Sequence, residues 1–132
     1  MRKGLGVFIF IWLFLSLASG ARAAERIQFK SGSNSGTVSG SVKGYDMASY
    51  LFGAKAGQAV TIRLSSKNRF LYFNLVDPAT SNTVPGAPSP GTVTEWSGTL
   101  PKSGDYQIDV FLMRNEARRG KTAPFTLDLT IK

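Results

Sequence analysis

Four of the sixteen basic residues of this 132-residue chain fall within nine consecutive positions, Met113-Arg114-Asn115-Glu116-Ala117-Arg118-Arg119-Gly120-Lys121. A segment so dense in guanidinium repels itself, and Glu116 alone is there to offset it. Arg114 and Arg118 are four apart, so one helical turn would place both on one face, while Arg119 would point elsewhere. A guanidinium fork meets a carboxylate or phosphate at two points. The segment is therefore either a solvated connection, the commoner fate of exposed charge, or the contact surface for an anionic partner.

Two further groupings could do chemistry. Tyr45 stands between Gly44 and Asp46, which mark a turn. A tyrosine there can stack on a sugar or seat in an interface; equally, it can cover a sheet edge. Ser103-Gly104-Asp105-Tyr106 is first of all a register-setting turn: glycine supplies a positive φ, and Ser and Asp bond locally to backbone.

Composition removes most catalytic classes. The chain has no cysteine and no histidine, so disulfides, thiol catalysis, Ser-His relays and His-based metal sites are excluded. Eight carboxylates are scattered along it. A glycosidase needs two at a fixed separation, and no pair stands on a recognisable pattern. There is no EF-hand, P-loop or dinucleotide fingerprint. The expectation is a protein that is not an enzyme and needs neither cofactor nor metal.

These residues must be carried by a small exported domain. Arg2 and Lys3 precede an apolar run from Leu5 to Leu17, followed by Ala21-Arg22-Ala23. That is a secretory signal peptide cleaved after Ala23, and the run is short for a membrane-spanning helix of about 20 residues. No cysteine is present for lipid attachment. The mature domain, 24–132, then holds thirteen basic and eight acidic residues, a net +5. Such a charge favours anionic surfaces moderately, and export argues against nucleic acid.

Period-2 alternation runs through the domain, and no amphipathic helix is evident. It predicts strands around Ile27 and Phe29, at 37–42, at Tyr50, Phe52 and Ala54, at Val60, Ile62 and Leu64, at Leu71, Phe73 and Leu75, and near 92–96. Two more alternate clearly, one through Tyr106, Ile108, Val110 and Leu112, the other through Phe125, Leu127, Leu129 and Ile131. Prolines at 78, 85, 88 and 90 bar a central strand from 78–91. About eight short strands predict an all-β fold, a single antiparallel β-sandwich, with the arginine segment as the tip of its last hairpin. Whether Trp96 is core or contact is open at this stage.

The stretch from Tyr50-Leu51-Phe52 through Ala56-Gly57-Gln58 and Leu100-Pro101 to Ser103-Gly104-Asp105-Tyr106 resembles bacterial pre-peptidase C-terminal sandwich domains. A narrower likeness covers the chain from about Ser39 onward. Gly44-Tyr45-Asp46, the Ser-Gly-x-Tyr turn and Arg114-Asn115-Glu116-Ala117-Arg118 resemble, in this order, the periplasmic inhibitors of g-type (goose-type) lysozyme. The resemblance implies an inhibitor whose basic loop blocks a lysozyme cleft and so protects peptidoglycan. It implies functional positions at Tyr45, Ser103, Gly104, Tyr106, Arg114 and Arg118; Asn115 and Arg119 join them on physical grounds. Ser103, Gly104 and Tyr106 would brace the arginine loop from behind. Inhibitors of i-type lysozyme carry a similar Ser-Gly-x-Tyr turn, so that target is an alternative. So is an envelope module that grips glycan or anionic polymer through Tyr45 and the basic loop. A homodimer is left open.

Overall fold

The computed structural model describes residues 24–29, 31–89 and 91–132; the signal peptide expected at 1–23 lies outside them. Eight strands build two four-stranded sheets packed face to face. They are β1 (Glu25–Arg26), β2 (Ser35–Lys43), β3 (Met47–Ala54), β4 (Ala59–Ser66), β5 (Leu71–Val76), β6 (Glu95–Thr99), β7 (Gly104–Leu112) and β8 (Thr122–Ile131), with one helical turn, α1 (Arg114–Ala117), between the last two. One sheet has the order β1-β3-β7-β5 and the other β2-β8-β4-β6. All pairs are antiparallel except β1 with β3.

Alternation decides which face is buried. Tyr106, Ile108, Val110 and Leu112 of β7 point inward toward Phe125, Leu127, Leu129 and Ile131 of β8, and all eight are buried. Phe73, Leu75 and Ile62 complete the centre with no exposure at all. Each such side chain stabilises the fold by about 1.5–3 kcal/mol, which matters in a domain without a disulfide.

Three expectations are corrected. The first strand is Glu25–Arg26 rather than the Ile27 and Phe29 segment. After Ile27 donates its backbone N–H to the Leu51 carbonyl, the chain leaves β3 and crosses toward β2. There Ile27 and Phe29 lie on Gly36, where a Cβ would come within 2.9 Å of Ile27. The sixth strand begins at Glu95, later than the predicted 92–96. The arginine segment is not a hairpin tip: β7 and β8 belong to different sheets, so it is the arch between them.

Trp96 belongs to the core edge. It pairs with the buried Ile62 and packs against the core from the inner face of β6. A Cβ on Gly98 would lie 2.2 Å from the Trp96 ring. Gly98→Ala should therefore push the indole outward, red-shift its emission and cost about 1–3 kcal/mol by overpacking; unchanged fluorescence and melting would contradict this placement. The Pro-rich stretch closes the same open side. Thr83 bridges to Val76 of β5, Val84 is 2 % exposed, and Ala87 and Val93 pack on the core.

Candidate functional site at one end of the sandwich

Three connections meet at one end: the β2–β3 turn, the β4–β5 turn and the β7–β8 arch. The strand register brings them together. Lys43 lies opposite Thr122, Met47 opposite Phe111, and Leu71 opposite Leu112. Backbone bonds then tie the connections to one another. Gly44 N–H donates to the Lys121 carbonyl at 2.9 Å, and Met113 N–H to the Phe70 carbonyl at 2.9 Å.

The arch contains a single helical turn, the condition under which Arg114 and Arg118 share a face. Met113 is its N-cap and its carbonyl accepts from Glu116 and Ala117; the Arg118 N–H donates to the Arg114 carbonyl at 2.8 Å. Both arginines are exposed, as are Asn115 and Arg119. A solvated loop does not describe the whole segment, because Ala117 is 3 % and Glu116 8 % exposed. Glu116 Oε1 accepts from Asn68 Nδ2 at 3.4 Å, and its Oε2 accepts from Arg119 Nη1 at 3.5 Å. Like charges at i and i+4 cost a few tenths of a kcal/mol. Packing of the inward side of the turn tolerates that cost, and the outward side presents two guanidinium groups that have no ion pair among the described residues.

Tyr45 stands on the neighbouring turn and is 70 % exposed, so it covers no sheet edge. Only Met47 and Met113 join it as exposed large hydrophobics among the described residues. Both adjoin the same end, one at the start of β3, the other just before α1. Sequence reasoning missed these methionines, since nothing local distinguishes them.

Charge is as polarised as apolar exposure. The three connections hold Lys43, Lys67, Arg69, Arg114, Arg118, Arg119 and Lys121 against Asp46 and Glu116. The remainder of 24–132 holds six basic and six acidic residues. The whole net charge of the domain therefore sits at this end. Elsewhere, three cations are paired: Arg26 with Asp105 at 2.8 Å, Arg63 with Glu95 at 3.0 Å and Lys102 with Asp77 at 2.8 Å.

Ser103, Gly104 and Tyr106 are not part of this cluster. They open β7, whereas Arg114 follows its far end, about 25 Å from Tyr106 and about 35 Å from Ser103 at a strand's rise per residue. The expected bracing of the arginine loop by hydrogen bonds is thus excluded by the length of β7. The turn supports its own end instead. Ser103 Oγ accepts from the Ala56 N–H at 2.9 Å, and Gly104 takes φ 140°. Tyr106 stacks on Phe52, its hydroxyl donates to the Lys102 carbonyl at 2.6 Å, and it accepts from the Lys102 N–H at 3.2 Å.

Two ion pairs here give a pH dependence of known sign. The Lys102 ammonium, with the Ala79 N–H, holds the Asp77 carboxyl below the ordinary aspartate value of 3.8, and the Arg26 guanidinium does the same for Asp105. Their contribution is complete above the unfolded-state value and is lost as pH falls through the lower folded one. Asp77→Asn/Asp105→Asn should flatten the acid limb of the stability curve below about pH 4 and leave the neutral region almost unaltered, because the pairs are exposed. An unchanged acid limb in urea titrations would contradict this.

The buried Asp109 accepts from Ser49 and Gln107 within the first sheet, at 2.7 and 2.8 Å. Among the described residues no cluster of acidic side chains could hold a metal, and no helix is long and apolar enough to cross a membrane.

The domain is thus a β-sandwich whose net positive charge and most exposed tyrosine are gathered at one end. The chain belongs to the family of g-type lysozyme inhibitors. It is 34 % identical over 121 residues to the inhibitor of g-type lysozyme of Escherichia coli (strain K12), an alignment covering 91 % of this chain and 90 % of that protein. The crystal structure of Aeromonas hydrophila PliG, a periplasmic inhibitor of g-type lysozyme, superposes with a TM-score of 0.73 at 34 % identity, over 83 % of this chain and 96 % of that one. The pre-peptidase C-terminal domain of a Bacillus anthracis collagenase shares the fold at 16 % identity, with a TM-score of 0.54 over 85 % of this chain and 99 % of that domain. No family model matches the sequence.

Proposed function

We propose that this chain is a periplasmic inhibitor that occludes the active-site cleft of a g-type lysozyme with its cationic end. Arg114 and Arg118 enter the cleft, Tyr45 supplies apolar contact beside them, and Asn115 and Arg119 lie at the margin. The observation that carries this reading is the gathering of two unpaired, co-facial guanidinium groups and the most exposed aromatic residue at the end that holds the domain's net charge.

The chemistry follows from the target. Glycoside hydrolysis needs a carboxylic acid that can protonate the leaving oxygen. A guanidinium inserted beside it excludes the glycan and favours the ionised carboxylate, which has no proton to give. In a desolvated cleft, such a two-point contact is strong. Inhibition therefore requires no reaction by the inhibitor itself.

Lytic assays with g-type, i-type and c-type lysozymes test the reading. The g-type enzyme should be inhibited at a stoichiometry of one to one, and binding to purified peptidoglycan should be weak. Strong glycan binding without effect on any lysozyme would favour an envelope module instead. Action on an i-type enzyme would have to be traced to Ser103 and Tyr106 at the opposite end. Sedimentation of the free protein and of the complex would show whether a homodimer takes part.

A further inference from the structure

Resting on that reading, we infer that the β4–β5 turn is a second cationic arm of the inhibitor, which grips an acidic segment of the same lysozyme molecule outside its cleft. Lys67 and Arg69 project from this turn, both exposed. Among the described residues neither has an ion pair or a side-chain hydrogen bond, whereas three of the cations away from this end have a carboxylate partner.

The arm is held rigidly and is joined to the arginine turn. Phe70 N–H donates to Asn68 Oδ1 at 2.8 Å, Asn68 N–H to Ser66 Oγ at 3.1 Å, and Ser66 Oγ in turn to the Pro124 carbonyl at 2.8 Å. The Met113–Phe70 backbone bond and the Asn68–Glu116 contact then fasten this turn to α1. The backbone positions that carry Arg69 and the Arg114/Arg118 pair therefore keep a fixed spacing, so a partner has to order the side chains but not the turns. A preorganised second contact adds affinity at little entropic cost.

Beside Arg69 lies an open groove of about 580 Å³, lined by Ser65, Asn68, Arg69, Tyr72, Thr92 and Thr94. Hydroxyl groups, a tyrosine and a guanidinium suit a polar segment bearing carboxylates. Two separated cationic contacts would hold even a target of net positive charge, provided each meets a local carboxylate, because local complementarity sets the binding.

The test uses the mature protein and a purified goose-type lysozyme, with dissociation followed by surface-immobilised binding. Lys67→Glu/Arg69→Glu should raise Kd at least tenfold, mainly through faster dissociation, while Lys67→Gln/Arg69→Gln gives a smaller rise. Neither change should alter the melting temperature, since both side chains are exposed and unpaired. Wild-type dissociation for both variants, alongside lost binding by Arg114→Ala/Arg118→Ala, would overturn the second arm and leave the cleft reading standing. Absence of binding by the wild-type protein would overturn both. If the reversal variant loses binding to anionic lipid vesicles but keeps its affinity for lysozyme, the arm serves a different partner and the inference fails.

Discussion

The Arg114→Ala/Arg118→Ala protein should melt at the wild-type temperature and inhibit a goose-type lysozyme roughly a thousandfold less well. The magnitude follows from two charge-assisted contacts in a desolvated cleft, each worth about 2 kcal/mol. The unchanged melting follows from the structure: both side chains are exposed, and neither has an ion pair among the described residues. Their removal should even relieve the like-charge repulsion across the turn by a few tenths of a kcal/mol. Arg114→Lys should fall between, because a point charge cannot reproduce the planar fork. A double variant that inhibits like the wild type would remove these residues from the interface.

The second large effect separates stability from contact. Tyr106→Ala should cost about 3–5 kcal/mol of stability, as loss of a large buried aromatic does. Tyr106 is 1 % exposed and stacked on Phe52 at a ring-centroid distance of 5.6 Å. Tyr106→Phe should cost about 1–2 kcal/mol, since the Lys102 N–H and carbonyl lose the partner they share. At temperatures where each variant is folded, inhibition of a g-type lysozyme should match the wild type, because the tyrosine lies a full strand from Arg114. A Tyr106→Phe protein of normal stability and weak inhibition would instead make the turn at 103–106 part of the contact.

The sheets were legible because burial alternates so regularly. Phe125, Leu127, Leu129 and Ile131 announce the inner face of β8 without any structure in hand. Periodicity does not state which strands share a sheet, however, and here it misled. β7 and β8 read as a hairpin, although their connection of nine residues is longer than the two to five usual in hairpins. That length was the available signal for a crossover. Gly36 and Gly98 hid two further features, since each is a gap filled by a side chain that long-range packing brings there.

The site was legible where its residues are adjacent in the chain and illegible where they are not. Arg114 and Arg118 identify themselves by spacing, and Tyr45 by its turn. Lys67 and Arg69 join them only because β4 and β5 turn at the same end, some 45 positions away in sequence. Met47 and Met113 look like core residues in one dimension and become surface only when the register places them at the rim. Conversely, Ser103 and Tyr106 looked close to the arginines along the chain, yet nine residues of extended strand carry them to the opposite end.

Steady-state kinetics of a goose-type lysozyme on a soluble peptidoglycan oligosaccharide, at several concentrations of this protein, would decide whether the cationic end occupies the cleft. Occlusion predicts competitive inhibition: the apparent KM rises with inhibitor, kcat is unchanged, and saturating oligosaccharide displaces the protein. A fall in kcat at constant KM, with the protein still bound to the oligosaccharide-filled enzyme, would contradict it.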